Sequence, residues 1–476
     1  MSMMPPTGGS RPGMPPPMPP PDAPEDLIAA AAQRAESERV RALRAVLDRQ
    51  AAQRRLRRIV FLVFAVAATA YAVWWLTPRA GSKPAGAWDR RVAPDTKITG
   101  PSIGVSPNGK WFALAWAEGP HLWYLRGTTE MGGALKLDSP IAFADTSHPF
   151  AAFDEDPPKA AIDNDGQVAV AWMTRPIGRA EGSVIAVARP NLEHDGTVAL
   201  SRIEGDDPTG FLLCESVGYD DDGGLVATWI DGGPAQESKG EIGTLRCAVA
   251  GPQGAFESVT TIADGVCSCC RTSVAWLGPE RFGVSYRGVA EGNVRDIRFG
   301  VLNDEGEDGS GPSFEKNSHT VVRNDHWAID GCPSQGPTVA AMGEKSAWVT
   351  WYTEGDPRGL YLARLEPRRG DNGLVRWQTA ESFVVDPRKT AMHPSMATLS
   401  SGRPFVVFEG PTPEGGRALY ARVFRGKALA PAERFTTANR AERPVPARWG
   451  RNGVLIAWQE VDEQGPRIAL AEWTGL

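Results

Sequence analysis

The chain has 476 residues, which is enough for two or three ordinary domains or for one large repeat array. Its 52 Gly, 40 Pro and 16 Trp favour short strands with many turns and argue against a helical protein. The formal net charge of −6 at pH 7 argues against a nucleic-acid binder.

Residues 1–24 form a proline-rich segment with almost no apolar side chains other than Met, which predicts a disordered tail. A basic amphipathic helix is predicted for residues 25–58, because this segment is rich in Ala, Arg, Glu and Leu and contains no Gly or Pro. Val40, Leu43 and Leu47 fall on one face of it. Such a stripe suits either a short coiled coil or a helix that binds a partner.

Residues 59–77 are predicted to be a transmembrane anchor. The apolar run that begins at Ile59 and ends at Leu76 carries no charge, and its 18 residues are just long enough to span a bilayer. An uncleaved anchor is favoured over a signal peptide, because a long helical segment precedes the run. Arginines are denser before the run than after it. The positive-inside rule therefore predicts a bacterial inner-membrane protein with a cytoplasmic N-terminus and a periplasmic C-terminal domain.

The chain beyond a predicted linker at residues 78–91 is repetitive. Strands that end in a small residue and an aromatic recur at intervals of 50 to 65 residues, each after a turn and another short apolar strand. A period near this length with about four strands per unit is typical of a β-propeller. We predict an all-β propeller at residues 92–476, with seven four-stranded blades or, alternatively, six blades and an irregular unit. The repeated aromatics, predicted to pack between blades, are Trp116, Trp172, Trp229, Tyr286, Trp351, Phe408 and Trp458.

The last predicted unit is one strand short. After Trp458 the chain has room for a third strand, "RIALAEW", but not for a fourth. The stretch "RRVAPDTKITG" before the first unit is predicted to supply the missing outer strand. Closing the ring with both chain ends would remove an exposed sheet edge.

Three motifs follow one another in the predicted propeller: "CSCC" at 267–270, "SYRGVAEGNVRDI" at 285–297 and "HWAIDGCPSQGP" at 326–337. In this combination the chain resembles a group of bacterial exported propellers labelled sialidase-like or exo-alpha-sialidase proteins. The chain departs from the group's pattern at two places. It has Gly288 where the pattern has Asp, and it has Ser334 and Gln335 where the pattern has Val-Asn. The resemblance covers the propeller and not the tail, helix or anchor.

The resemblance implies a sialidase-type glycoside hydrolase, for which Arg287, Arg295 and Asp296 are the candidate polar residues. The alternative interpretation of Arg295 and Asp296 is a surface or strand-edge ion pair. Sialidases also carry Asp boxes and a Tyr–Glu pair, and here only "SPNGKW" faintly resembles an Asp box. Tyr286 occupies the repeated packing position, which argues against a nucleophile. The sequence therefore favours a non-catalytic protein over an enzyme.

Five of the six cysteines fall at the starts of innermost strands of three neighbouring units, which predicts that they meet on one arc of the channel rim. The sixth comes later in unit three and is close enough in sequence to join them. The full set is Cys214, Cys247, Cys267, Cys269, Cys270 and Cys332.

Three interpretations of these cysteines remain open. In an oxidising compartment six cysteines can close three disulfides, and a bridge from Cys267 or Cys269 to Cys332 would join units four and five and contribute about 2–4 kcal/mol. The cysteines could instead form a redox-active thiol pair. No cofactor is expected, but copper or zinc is the third interpretation. Its ligands would come from Cys267, Cys269, Cys270, Cys332, His326, His148 and His393.

The function favoured by the sequence is that of a binding or assembly subunit of a membrane protein complex. The predicted partners are other membrane or periplasmic proteins and the bilayer, and no nucleic acid is expected. A helix on one side of the membrane and a broad propeller on the other would offer two interaction surfaces. A sialidase-like glycosidase is the second hypothesis, and a metal-binding or thiol-redox propeller is the third.

Overall fold

The computed structural model describes residues 24–25, 29–30, 32–46, 48–49, 52 and 85–476, the last range with short gaps. The gaps are 94, 130–134, 144–149, 152–154, 175–181, 191–197, 205–209, 235–241, 253, 305–310, 332, 371–373, 426, 437–439, 451–452 and 475. The chain divides into two units, Met1–Ala80 and Gly81–Leu476.

The first unit contains one helix, which is helical at residues 25, 29–30, 32–46, 48–49 and 52. Val40 and Leu43 of the predicted stripe are exposed, together with Val46, whereas Leu47 lies outside the described residues. Within the described part of the chain, no helix has the length and apolar character needed to cross a membrane. Residues 59–77 also lie outside that part, so the anchor stays a prediction.

The second unit is a ring of seven antiparallel sheets, which confirms the all-β propeller and the count of seven. Its strands are numbered in chain order and grouped by blade. Blade 1 has β2 (Ile98–Val105), β3 (Trp111–Glu118), β4 (His121–Thr129), β5 (Leu135–Leu137) and β6 (Ile141–Ala142). Blade 2 has β7 (Lys159–Ile162), β8 (Val168–Met173), β9 (Ile185–Pro190) and β10 (Val198–Ile203). Blade 3 has β11 (Gly210–Tyr219), β12 (Leu225–Pro234), β13 (Ile242–Ala250) and β14 (Glu257–Cys267).

The other four blades follow the same pattern. Blade 4 has β15 (Ser273–Gly278), β16 (Arg281–Arg287), β17 (Ile297–Asn303), β18 (Ser313–Phe314) and β19 (Thr320–Val321), with a short 3₁₀ helix at Glu291–Asn293. Blade 5 has β20 (Thr338–Ala341), β21 (Ala347–Thr353), β22 (Gly359–Arg369) and β23 (Val375–Asp386). Blade 6 has β24 (Met392–Thr398), β25 (Pro404–Pro411), β26 (Arg417–Arg425), β27 (Ala428–Leu429) and β28 (Glu433–Arg434). Blade 7 has β29 (Ala441–Trp449), β30 (Gly453–Asp462), β31 (Gly465–Trp473) and β1 (Ala85–Arg91).

The first strands of successive blades contact one another all the way round, from β2 through β7, β11, β15, β20, β24 and β29 back to β2. These seven strands are therefore the innermost strands and surround the central channel. Their starts define one opening of the channel, which we call the channel mouth.

The ring closes in blade 7, where β1 pairs with β31 as the outermost strand. The closing strand lies earlier in the chain than predicted, because Ala85–Arg91 forms it and Ile98–Val105 is already the first inner strand. Trp88 fixes this arrangement by packing against Trp116 of blade 1, with the ring centroids 5.6 Å apart. The propeller therefore begins inside the predicted linker at residues 78–91.

The repeated aromatics lie on the second strand of each blade, and all seven are buried. Trp229 packs with Ala161 and Ala169 of blade 2, so its ring fills the space between two blades. Ala227, two residues before Trp229 on the same strand, is small, which lets adjacent blades approach closely.

Candidate functional site

The inner strands enter the channel mouth through a repeated backbone irregularity. β2, β11, β24 and β29 each contain a register shift near their start. At these shifts φ is positive for Gly100 (117°), Cys214 (57°), His393 (47°) and Arg443 (55°). A left-handed conformation costs a non-glycine residue about 1–2 kcal/mol. Strained residues of this kind cluster at functional sites, which makes the mouth the first candidate.

A charged network lies across the mouth. Glu155, which precedes blade 2, accepts hydrogen bonds from Arg443 of blade 7 at 2.8 and 3.3 Å. Its carboxylate is also 3.5 Å from His393 Nε2 of blade 6. On its other side, His393 Nδ1 is 2.7 Å from Glu409 Oε1. Glu409 accepts further hydrogen bonds from the Arg443 backbone N–H at 2.8 Å and from the Arg417 guanidinium at 3.0 Å.

The network shifts the pKa values of its members. Burial opposes the ionisation of Glu155, but hydrogen bonds from His393 and Arg443 outweigh burial and hold its pKa well below the ordinary range. Burial likewise opposes the charged form of His393, yet hydrogen bonds to Glu155 and Glu409 raise its pKa. Burial would raise the pKa of Glu409, and His393 lowers it instead. The mouth therefore holds two ionised carboxylates that are compensated by neighbouring cations.

A second pair of carboxyl groups lies beside this network. Asp156 is fully buried and accepts hydrogen bonds from Lys159 Nζ at 3.0 Å and from the Cys214 backbone N–H at 2.7 Å. Glu215 is also fully buried, 3.9 Å from Lys159 Nζ, and neither of its oxygens has a hydrogen-bond partner among the described residues. Burial, reinforced by the charge of Asp156, raises the pKa of Glu215 well above its usual value. Burial therefore favours the protonated form of Glu215, which is the form that a general acid needs.

A cavity of about 220 Å³ lies in the channel beside these groups. Its polar lining consists of Lys159, Arg271 and a set of hydroxyl groups: Ser102, Ser216, Thr272, Ser273, Thr338 and Ser395. Arg271 occupies the same register position in blade 4 as Cys214 in blade 3. A Cβ at Gly336 of blade 5 would collide with the Arg271 carbonyl oxygen, so the next blade packs tightly against this backbone. Within the described ranges, Arg271 has no hydrogen bond or ion pair, and its guanidinium is available to a ligand.

The two arginines implied by the family resemblance lie in a separate layer of loops between blades 3, 4 and 5. Both are fully buried. Arg287 donates to the carbonyl oxygens of Arg295 at 2.7 Å, Tyr352 at 2.8 Å and Gln335 at 2.9 Å. It also stacks over Trp327, with its Cζ 4.8 Å from the ring centroid. These contacts join the end of β16 to two loops and to strand β21.

Arg295 donates to Cys267 Sγ at 3.1 Å and to Asn293 Oδ1 at 3.1 Å. Asp296 is half-buried, and its Oδ1 is buried without a hydrogen-bond partner within the described residues. The contacts of Arg287 and Arg295 give both arginines protein acceptors. Their catalytic role, with that of Asp296, stays a prediction.

Not all of the cysteines form disulfides. Cys214, Cys247, Cys267 and Cys270 are free thiols, and all four are buried. The expectation of three disulfides is therefore wrong, as is a bridge from Cys267 to Cys332. Cys269 is disulfide-bonded, and its partner lies outside the described residues, as Cys332 does.

The structure brings four cysteines together beside the mouth, although Cys247 is not one of them. Cys267 Sγ is 3.1 Å from Cys270 Sγ and 3.7 Å from Cys269 Sγ, and Cys214 Sγ is 3.8 Å from the Ser268 carbonyl oxygen. Cys247 lies in the middle of β13, opposite Thr228, where burial raises its pKa to about 12. It is a core residue rather than a rim residue.

The three sulfurs of the CSCC segment lie within 4.8 Å of one another, a spacing that suits a metal ion. However, the sulfur of a disulfide is not a thiolate, so Cys269 would have to be reduced before it could bind copper or zinc. The predicted histidine ligands are not part of this group: His326 is exposed and His393 is hydrogen-bonded to Glu409. His148 lies outside the described residues. A metal at the cysteines stays a prediction.

Sequence reasoning missed most of the channel mouth. The missed residues are of types that are common on protein surfaces, and no motif marks them. They are Glu155, Asp156, Lys159, Arg271 and Arg443. One signal was available, because Arg271 follows Cys214 by 57 residues, the commonest interval in the repeat. Aligning the units for charged residues, as well as for cysteine and histidine, would have found Arg271 at the mouth.

No known family model matches the chain, and no curated protein matches it. Among solved structures, it is similar to a protein of unknown function from Dyadobacter fermentans at 12% identity and a TM-score of 0.45, covering 83% of this chain and 100% of that one. A Penicillium chrysogenum alpha-L-arabinanase matches at 11% identity and a TM-score of 0.43, covering 83% and 98%. The Hadza microbial sialidase Hz136 matches at 9% identity and a TM-score of 0.41, covering 76% of each. No functional argument rests on likeness at this level, and the sialidase-like family stays a resemblance.

Proposed function

We propose that the protein is a non-catalytic binding or assembly subunit of a membrane complex, and that its channel mouth receives an acidic group of a partner protein. The observation that carries this proposal is Arg271. Its guanidinium lies beside a cavity lined with hydroxyl groups and has no hydrogen-bond or ion-pair partner among the described residues. A cation in such a place is stabilised when a carboxylate binds it through two parallel hydrogen bonds.

The charges around Arg271 favour an acidic ligand over a basic one. The carboxylates at the mouth are already compensated, because Glu155 pairs with Arg443 and Asp156 pairs with Lys159. Burial raises the pKa of Glu215, which favours its uncharged form. Arg271 is therefore the cation of this site that has no ion-pair partner among the described residues, and the serine hydroxyl groups beside it can donate further hydrogen bonds to a bound carboxylate.

The membrane part of the proposal rests on the sequence. The apolar run that ends at Leu76 would anchor the chain, with the propeller in the periplasm and the helix in the cytoplasm. Val40, Leu43 and Val46 are exposed on that helix. An exposed apolar stripe on a helix is a surface for a second partner. The two surfaces would let one subunit connect proteins on both sides of the membrane.

The test is co-purification of the full chain from its native membranes in mild detergent. Wild type, Arg271→Gln and a control, Arg368→Gln, would be compared by quantitative mass spectrometry. Arg368 is exposed and lies on the outer half of blade 5. We expect a membrane or periplasmic protein to co-purify with wild type and the control, and its yield to fall at least tenfold with Arg271→Gln. A chain that runs alone in every mild detergent, or equal yields from all three, would refute the proposal.

A glycosidase is the second candidate, and the pair Asp156 and Glu215 favours it more than the arginines do. Glycoside hydrolysis uses two neighbouring carboxyl groups, one of them with a raised pKa, and burial raises the pKa of Glu215 beside Asp156. Fluorogenic sialosides and other glycosides would test for the activity. An enzyme of this kind should lose at least 100-fold in kcat with Glu215→Gln. Loss of activity with Arg295→Ala but not with Glu215→Gln would favour the site implied by the family resemblance instead.

A further inference from the structure

The CSCC segment places three sulfurs within 4.8 Å of one another at the end of β14. Cys267 Sγ is 3.7 Å from Cys269 Sγ and 3.1 Å from Cys270 Sγ. A turn holds this spacing, because the Cys270 backbone N–H donates to the Cys267 carbonyl oxygen at 3.3 Å. Cys267 and Cys270 are fully buried free thiols, whereas Cys269 is partly exposed and disulfide-bonded. A buried thiol therefore lies next to a disulfide-bonded cysteine that is partly exposed.

The surroundings of Cys267 favour its thiolate form. Arg295 donates to Cys267 Sγ at 3.1 Å and is itself positioned by Asn293, whose Oδ1 accepts from Arg295 Nε at 3.1 Å. The hydrogen bond from Cys270 has the largest effect and outweighs burial. With the charges of Arg287 and Arg295, it lowers the pKa of Cys267 to about 6. The hydrogen bond from the Arg295 guanidinium stabilises the thiolate form of Cys267, which is the nucleophilic form.

Cys270 has the opposite character. Burial, with its hydrogen bond to Cys267, raises the pKa of the Cys270 thiol well above its usual value. Cys270 is therefore a neutral thiol that stabilises the Cys267 thiolate. The same residue can act as a resolving cysteine once Cys267 becomes part of a disulfide, because it is the thiol next to Cys267.

We propose that Cys267, Cys269 and Cys270 form a thiol–disulfide exchange site that acts on protein disulfides. The Cys267 thiolate attacks Cys269 Sγ. A Cys267–Cys269 bond forms, the bond between Cys269 and its present partner breaks, and that partner leaves as a thiolate with the electron pair. The reaction moves a disulfide within the chain, so it needs no external oxidant or reductant.

The second step produces a nucleophilic thiolate at Cys269, which is partly exposed. Cys270 gives its proton to the released thiolate and attacks Cys267 Sγ, which forms a Cys267–Cys270 bond and releases Cys269 as a thiolate. Because Cys269 is the exposed member, it can then attack a disulfide of a partner protein, forming a mixed disulfide and releasing one partner thiolate. Exchange of this kind suits the oxidising compartment that the sequence predicts.

The test maps the disulfides of the full chain, purified without reductant and kept at pH 7.5 in a glutathione redox buffer. Acid would stop the exchange, free thiols would be alkylated, and linked peptides would be identified by mass spectrometry. In wild type we expect bonds inside the 267–270 segment to appear together with alkylated Cys332. Cys270→Ser should trap the Cys267–Cys269 bond. Cys267→Ser should abolish the bonds inside the segment, and Cys247→Ser, which alters a remote buried thiol, should behave as wild type.

The rate supplies a second measurement that does not depend on a cysteine variant. Arg295→Gln should slow the appearance of bonds inside the segment at least tenfold at pH 7.5, whereas Arg281→Gln should not change it. Arg281 pairs with Glu315 and does not contact the sulfurs. The proposal fails if Cys332 is never alkylated in the wild-type chain, or if Cys267→Ser exchanges as fast as wild type.

Discussion

Glu155 and Arg443 are 288 residues apart in the chain, yet their side chains form a two-point ion pair at the channel mouth, with N–O distances of 2.8 and 3.3 Å. Glu155 precedes blade 2 and Arg443 lies near the start of blade 7, so the pair spans blade 1, which is the neighbour of the closing blade 7. Both side chains are mostly buried. The pair therefore joins the first and last parts of the propeller on the inner side, as β1 does on the outer side.

We expect Glu155→Gln to lower the free energy of unfolding at pH 7 by about 3 kcal/mol, because it removes the carboxylate that pairs with the mostly buried Arg443 and one of the two carboxylates that contact His393. Denaturant unfolding of the propeller measures this change. Glu463→Gln alters an exposed side chain and should leave stability at the wild-type value. Equal stability of the Glu155 variant and this control would show that the ion pair adds nothing to the fold.

The same network predicts a stability optimum in pH. The pKa of Glu155 is lowered in the folded state, so the stability it contributes is present above its unfolded pKa and is lost as pH falls below that value. The pKa of His393 is raised, so its contribution is present at low pH and is lost as pH rises through the raised pKa. Unfolding measured from pH 3 to pH 9 should show a fall on the acid side that Glu155→Gln reduces. An unchanged acid limb in that variant would contradict the assignment.

Cys214 tests the strained backbone of the mouth. Its φ of 57° suits glycine better than alanine, so Cys214→Gly should be more stable than Cys214→Ala by about 1 kcal/mol. Cys247 is the matched control, because it is an equally buried free thiol in the middle of β13 without a positive φ. There the order should reverse, with Cys247→Gly less stable than Cys247→Ala by about 0.5–1 kcal/mol. If the Gly and Ala variants had the same order of stability at both positions, the left-handed conformation of Cys214 would store no strain.

The sequence was sufficient for the architecture because the period of the repeat is a physical requirement. Blades stack only if each presents the same small and aromatic side chains, so Trp116, Trp172 and their equivalents mark every unit. The closing strand was misplaced because one strand without a unit of its own has no period to fix its register. Its position depends on a contact of Trp88 with a residue of another blade, which only the three-dimensional ring reveals.

The site was predictable where residue types are rare and not where they are common. Cysteines in a cluster are informative in themselves, and their convergence beside the mouth follows from the unit alignment. Which of them remain free does not follow, since it depends on distances between loops. Glu155, Lys159 and Arg271 are ordinary surface residue types in sequence. Their arrangement at one channel mouth depends on the ring, and the pairing of Glu155 with Arg443 depends on the closure that brings distant parts of the chain together.

Glu215 should make the protein less stable as pH rises. Its pKa is raised in the folded state, so the folded protein binds more protons than the unfolded chain above about pH 4.5, the usual pKa of Glu. Stability therefore falls as pH rises from there toward the raised pKa. Glu215→Gln keeps a neutral side chain of the same shape and should remove this part of the pH dependence. Glu344→Gln changes an exposed side chain and should keep the pH dependence of the wild type. Parallel wild-type and Glu215→Gln curves would show that Glu215 is ionised in the folded state.

The closure of the ring can be tested at both ends of blade 7. Deleting residues 470–476 removes half of β31 and so disrupts its pairing with both β30 and β1. We expect the ring to open, with loss of a single cooperative unfolding transition and faster proteolysis. Trp88→Ala is a milder change that removes the packing on Trp116 and should cost roughly 2 kcal/mol, less than for a fully buried tryptophan.

Arg91→Gln is the control for this closure, because it breaks an exposed ion pair of the same strand with Asp462, at 2.8 Å, without removing apolar contacts. Exposed ion pairs contribute little, so its unfolding curve should match that of wild type. If Arg91→Gln were as damaging as Trp88→Ala, charge rather than apolar packing would hold the closing strand. If neither variant nor the deletion changed unfolding or proteolysis, the seven inner strands would hold the ring without help from β1.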